Sequence, residues 1–160
     1  ENLLKNEIEK ENLKDKGYKE QKINLNTKNE QSLYILRKEL KESLMSLKNK
    51  LITNKNNNLK ALITNSTIGK ISSTKAIEKS LKNGFSEIEH FTTGKHLKEL
   101  FENAILISEN KDKNINIFRF NSNFIINDKN ANALLTLKQI IDKDKNVIYS
   151  LELENLTSSL

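Results

Sequence analysis

The feature that most constrains this chain is a series of four runs of strand character between Ile105 and Leu153. They are Ile105-Leu-Ile-Ser108, Ile115-Asn-Ile-Phe-Arg-Phe120, Ala131-Asn-Ala-Leu-Leu-Thr-Leu-Lys-Gln-Ile140 and Val147-Ile-Tyr-Ser-Leu-Glu-Leu153. The tracts between them are rich in Asn, Asp and Lys, the composition of exposed turns. Consecutive strands joined by short polar turns pair with their neighbours, whereas parallel strands need long crossovers. The segment therefore reads as an antiparallel meander. Just before it, Lys95 to Ala104 reads as an amphipathic helix with Leu97, Leu100, Phe101 and Ala104 inward and Thr93 as its cap. The expected fold class is α+β: N-terminal helices followed by a four-stranded antiparallel meander with a helix packed on one face.

Upstream, Leu33, Leu36, Leu40, Leu44, Leu47 and Leu51 recur at spacings of three or four. That lays one leucine stripe along a helix from about Gln31 to Ile52, with Ser32 as N-cap and the Asn-rich stretch Asn54 to Asn58 as its stop. Docking on the sheet is the expected role of this stripe. Leu59 to Thr64 reads as a short strand and Gly69 as a turn. Ser73 to Asn83 reads as a surface helix capped by Ser73 or Thr74, with Gly84 at its left-handed C-terminal position. Residues 1–30 are dominated by Lys, Glu and Asn, with a short helix to about Lys14, and read as a linker or loosely docked arm. Residues 31–160 then form a single α+β domain.

Hydrophobic residues make up 36 per cent of the chain and charged residues 30 per cent. The apolar residues gather in periodic runs, so the composition permits a modest core under a heavily charged surface. With no cysteine there are no disulfides and no thiolate metal sites. The net charge of +6 comes from 27 basic and 21 acidic residues, and Arg37 and Arg119 are the only arginines. No apolar run approaches the ~20 residues of a membrane-spanning helix. A Gly-rich phosphate loop, a Gly-x-Ser-x-Gly elbow and a His-Glu-x-x-His helix are all absent, which argues against those nucleotide, serine and zinc chemistries.

The candidate chemistry rests on a few polar side chains. His90 and His96 are the only histidines, six apart around Thr92-Thr-Gly-Lys95, and their spacing matches no zinc helix motif. As general acid or base a histidine suits neutral pH. Strand alternation sets Arg119 opposite Phe118 and Phe120, so it projects from the open face of the sheet if the phenylalanines face the core. A guanidinium there can fork onto a phosphate. Thr136 and Lys138 share one face of the third strand. Tyr149 lies on the next strand, and a one-residue change in turn length decides which face it joins.

Several of these segments together resemble a known family. Ile71-Ser-Ser-Thr-Lys-Ala-Ile-Glu-Lys-Ser-Leu81, Leu97-Lys-Glu-Leu-Phe-Glu-Asn-Ala104, Ile117-Phe-Arg-Phe120, Leu134-Leu-Thr-Leu-Lys138 and Ile148-Tyr-Ser-Leu-Glu-Leu153 look like the large polyvalent protein-associated domains of phages and mobile elements. The resemblance spans about Leu59 to Leu156. The order of helices then sheet is similar in layout to the barnase, EndoU, colicin and RelE nucleases, although no single catalytic signature of that group is matched. The resemblance implies a metal-independent endoribonuclease-like toxin or effector without a cofactor, acting on RNA and restrained by an immunity or antitoxin protein. It would work in the cytoplasm or be delivered into a target cell as part of a larger protein. His90, His96, Arg119 and Lys138 would be its catalytic residues. Lys75, Lys79, Lys82, Lys95, Thr136 and Tyr149 would bind substrate. The alternatives are a non-catalytic nucleic-acid-binding module and a protein-interaction module that uses the leucine-striped helix or a sheet edge.

Overall fold

The structure is a computed structural model that describes residues 23–27 and 31–159. In chain order its elements are β1 (Ile23–Leu25), α1 (Leu33–Met45), β2 (Ile52–Thr53), β3 (Lys60–Ala61), α2 (Asn65–Ile71), α3 (Thr74–Lys82), α4 (Glu87–Lys95), α5 (Leu97–Glu102), β4 (Ile105–Asp112), β5 (Ile115–Ile126), β6 (Lys129–Ile141) and β7 (Val147–Ser158). The fold class is α+β: helices come first, and β4, β5, β6 and β7 follow as a meander paired antiparallel throughout. β1 adds to the same edge of β5 as β4, farther along and parallel, with Ile23 opposite Phe124 and Leu25 opposite Ile126. The helix expected to about Lys14 lies outside the described residues.

The strands run longer than their apolar runs. β5 continues through Asn121-Ser-Asn123, a stretch with turn composition, because its inward alternation of Phe118, Phe120, Ser122, Phe124 and Ile126 is unbroken and all five are buried. Continuous pairing with β6 through this stretch outweighs the weak strand preference of asparagine. The true turns are Lys113-Asn114 and Asn127-Asp128, with φ of 50° and 68° and of 47° and 62°. Two left-handed residues give a hairpin turn whose twist matches that of the flanking strands.

The helices depart from expectation in three places. α1 has the expected N-cap, with the Ser32 hydroxyl accepting from the Ile35 N–H at 3.3 Å, but it ends at Met45. Asn49 at φ 67° turns the chain out, and Leu51 is 60 per cent exposed. The stripe of Leu36, Leu40 and Leu44 is buried against the helical layer, chiefly α4, instead of docking on the sheet. Gly69 lies within α2, which has a capping box between Thr64 and Thr67. Thr93 caps nothing. It lies inside α4, its hydroxyl donating to the Glu89 carbonyl at 2.8 Å, and Ser86 is the cap. α3 forms as its signals require, with Ser73 as N-cap and Gly84 at φ 93°.

α5 closes the sheet's inner face, with the Phe101 ring edge-on to Phe120 at a centroid distance of 5.2 Å. Asn54 fastens α5 from behind, its fully buried amide donating to the carbonyls of Phe101 (2.7 Å) and Ala104 (2.9 Å). The outer edge of β7 is closed as well. Leu62 bonds the backbones of Tyr149 and Leu151 at 2.8 and 2.9 Å, and the Thr67 hydroxyl donates to the Leu151 carbonyl at 2.6 Å. Unpaired strand edges invite association, and this one is covered. Of the segment Leu59 to Thr64, only Lys60–Ala61 forms a strand, paired with Ile52–Thr53.

Candidate functional site

Three of the sequence-derived candidates share the sheet's outer face. Phe118 and Phe120 are buried on the inner side, so Arg119 projects outward, directly opposite Thr136. Lys138 stands two residues further along that face, opposite Ile117 and Ser150. Glu154 joins them because β7 carries an irregularity here. Leu134 pairs with Asn155 and Leu135 with Leu153, leaving Glu154 as the extra residue of a bulge. Its Oε2 accepts from Arg119 Nε at 3.3 Å and from the Thr136 hydroxyl at 3.0 Å. The side chains of the ion pair are 32 and 35 per cent exposed, so the pair orients the guanidinium more than it stabilises the fold.

Tyr149 is on the other side. It pairs with Gln139, which places it with Leu137 and Leu151 on the inner face, its ring edge-on to Phe118 at 5.4 Å. It is a packing residue at the rim of the core and does not share the face of Lys138.

The histidines stand elsewhere, His90 within α4 and His96 at the junction between α4 and α5. His90 is buried at the junction of α2, α3 and α4. Its Nε2–H donates to the Ile71 carbonyl at 2.7 Å, which leaves Nδ1 to accept from the Ser80 hydroxyl at 2.6 Å. Burial holds its pKa below the ordinary histidine value, only partly offset by the Ile71 hydrogen bond. Both ring nitrogens are engaged inside the protein. His96 follows α4 as its C-cap, its Nδ1–H donating to the Thr92 carbonyl at 2.9 Å. With Lys95 it lines a separate cavity of about 260 Å³ beside Gln31 and Glu39, and Lys95 Nζ lies 3.4 Å from Glu39 Oε2. The structure thus joins Arg119, Thr136 and Lys138 on one face and Lys95 with His96 in one cavity. It joins neither histidine to Arg119.

Of the α3 lysines, Lys79 donates to the Glu154 carbonyl at 3.0 Å, and Lys75 and Lys82 stand exposed. A larger groove of about 460 Å³ opens where the outer face of β6 and β7 meets the segment from Leu62 to Ser66. Lys48, Lys70 and Lys138 line it, with Ile140 and Ile148. Lys70 is held by Glu152 at 2.6 Å. No group of three or more His, Asp or Glu side chains gathers as a metal site among the described residues.

Glu154 and Glu89, like Lys48 and Lys70, are polar residues outside the sequence-derived candidates. Alternation in Ser150-Leu-Glu-Leu-Glu154 was a signal for the first, since leucines inward put carboxylates outward; the bulge was not readable. Glu89 closes the α4 capping box and reaches Lys129 at 2.8 Å and Asn127 at 3.0 Å. Burial pushes its carboxyl up, but the hydrogen bonds from Lys129, the Ser86 N–H and Asn127 outweigh it and hold the pKa below the usual value.

Helices first and an antiparallel meander last define an α+β module, with Arg119, Thr136 and Lys138 on the sheet's outer face and the two histidines among the helices. Residues 31–149 match the family model for large polyvalent protein-associated domain 3, and the chain belongs to that family. No curated protein and no solved structure matches it. No described helix is long and apolar enough to cross a membrane.

Proposed function

We propose that this chain is a non-catalytic nucleic-acid-binding module of a large polyvalent protein. The observation that carries the reading is the segregation of its charge. Between residues 31 and 82, the segment of α1, α2 and α3, there are eleven basic and three acidic side chains. Residues 103–159, which hold the meander, carry seven of each. A charge excess confined to one part of the chain is suited to a polyanion, because it is there that phosphate counterions would be displaced. A lysine-rich surface binds phosphates as point charges and favours loose, sequence-tolerant contact.

The endoribonuclease reading requires an acid and a base flanking a phosphate held by Arg119. His90 spends both ring nitrogens among the helices, and Arg119 is engaged by Glu154, so the placement favours binding over cleavage. The test is to titrate labelled RNA with the protein across a salt series, and to incubate total RNA with it in chelator. Affinity that falls steeply with salt, with the RNA left intact, is the expected result. Cleavage that survives the chelator, and is lost in Arg119→Ala, would restore the ribonuclease. Absence of binding at low salt, or binding indifferent to salt, would point to a protein partner.

A further inference from the structure

We infer that the groove between β6, β7 and the Leu62–Ser66 segment is a subsite for one nucleotide unit of a single-stranded nucleic acid. This deepens the binding reading above and rests on it. Three cations reach the groove from three separate elements: Lys48 from the turn after α1, Lys70 from α2 and Lys138 from β6. Lysines on one solvated helix face would follow helical spacing. These are brought together only by the tertiary fold.

The walls are fixed. Thr64 Oγ1 lies 2.9 Å from Ser150 Oγ, and the Leu62 bridge ties the wrapping segment to β7. Glu152 neutralises Lys70 while holding its ammonium at the rim, so Lys48 and Lys138 supply the groove's net positive charge. Its volume of about 460 Å³ falls within the range of small-ligand sites, typically about 300–1,000 Å³. Ile140 and Ile148 add apolar side chains to its lining. Ammonium groups together with apolar side chains match a nucleotide, the phosphate meeting the lysines and the face of the base meeting the isoleucines. A duplex keeps its base faces stacked and cannot present one there, so the chemistry selects single strands.

The experiment is fluorescence anisotropy with labelled short oligouridylate, oligodeoxythymidylate and a duplex of matched length. Wild type is compared with the double variants Lys48→Gln/Lys138→Gln and Lys111→Gln/Lys113→Gln, the second pair lying on the hairpin of the neutral meander. The groove variant is expected to bind both single strands at least about tenfold more weakly at low salt. Its salt slope should be flatter by roughly one to one and a half, the loss of two single-strand phosphate contacts. The hairpin variant should bind like wild type. Equal loss in the two variants would show a diffuse charge effect, and an unchanged groove variant would remove the groove from binding; either overturns the subsite and leaves the module reading standing. A duplex bound as tightly as the single strands overturns the single-strand assignment. If wild type binds none of the probes, both readings fall together.

Discussion

His90 carries the sharpest consequence at the scale of one residue. It lies between Ser80 and Ile71, its Nε2–H donating to the Ile71 carbonyl and its Nδ1 accepting from the Ser80 hydroxyl. Protonating the ring would turn that acceptor into a donor inside a buried site. Burial depresses the folded-state pKa, so the unfolded chain takes up a proton near the ordinary value of 6.5 while the folded chain does not. The stability this residue contributes is fully present above 6.5 and declines as pH falls from there through the folded-state value. Glu89, also depressed, adds a second loss below its ordinary value of 4.5. Thermal melting of wild type should therefore fall between pH 7.5 and 5.5. His90→Gln should melt lower at pH 7.5, by about 1–3 kcal/mol of stability, with a flatter pH dependence over that interval. An equally steep fall in the variant would remove His90 as the cause.

Helices and strands were unequally legible in the sequence. The meander was readable because apolar alternation in Phe118-Arg-Phe120 and Leu135-Thr-Leu137 survives any small error of boundary. α1 and α3 were readable from leucine spacing and serine caps. α4 was hidden because Thr92-Thr-Gly-Lys95 has the composition of a turn. The glycine there serves a different purpose, which only the packing reveals. A Cβ at Gly94 would lie 2.9 Å from both Ile71 Cγ2 and Leu40 Cδ1, so the bare backbone lets α1 and α2 approach α4. Gly94→Ala gains up to about 1 kcal/mol of helix propensity, and the forced shift of two fully buried side chains costs about 1–3 kcal/mol. Net destabilisation is expected in denaturant titration. A variant more stable than wild type would show that the contact relaxes freely.

At the scale of the whole molecule, the candidate site was legible in its parts and not in its assembly. Alternation put Thr136 and Lys138 on one face of their strand and Arg119 on the open face of another, but only the pairing of β5 with β6 set the three together, only the register of β7 sent Tyr149 inward, and only its bulge supplied Glu154. The gathering of Lys48 with Lys70 and Lys138 depends on contacts between residues far apart in sequence, which no local pattern encodes. The same assembly concentrates like charge. Of the eleven basic side chains between residues 31 and 82, Lys70 pairs with a carboxylate at 2.6 Å, and that carboxylate comes from outside the segment. Repulsion within this basic part opposes folding, and salt screens it over a Debye length of about 10 Å at 0.1 M. The exposed ion pairs, such as Lys98 with Glu102 at 3.3 Å, contribute little that screening can remove. Melting temperature should therefore rise by a few degrees as salt increases from low to physiological strength, corresponding to about 1 kcal/mol for a chain of this size. On the binding reading, a short polyanion at low salt should raise it further by mass action, because it would bind the folded state. A melting temperature that falls as salt is added would mean that ion pairs outweigh repulsion, so that the fold neutralises the basic segment on which the binding reading depends.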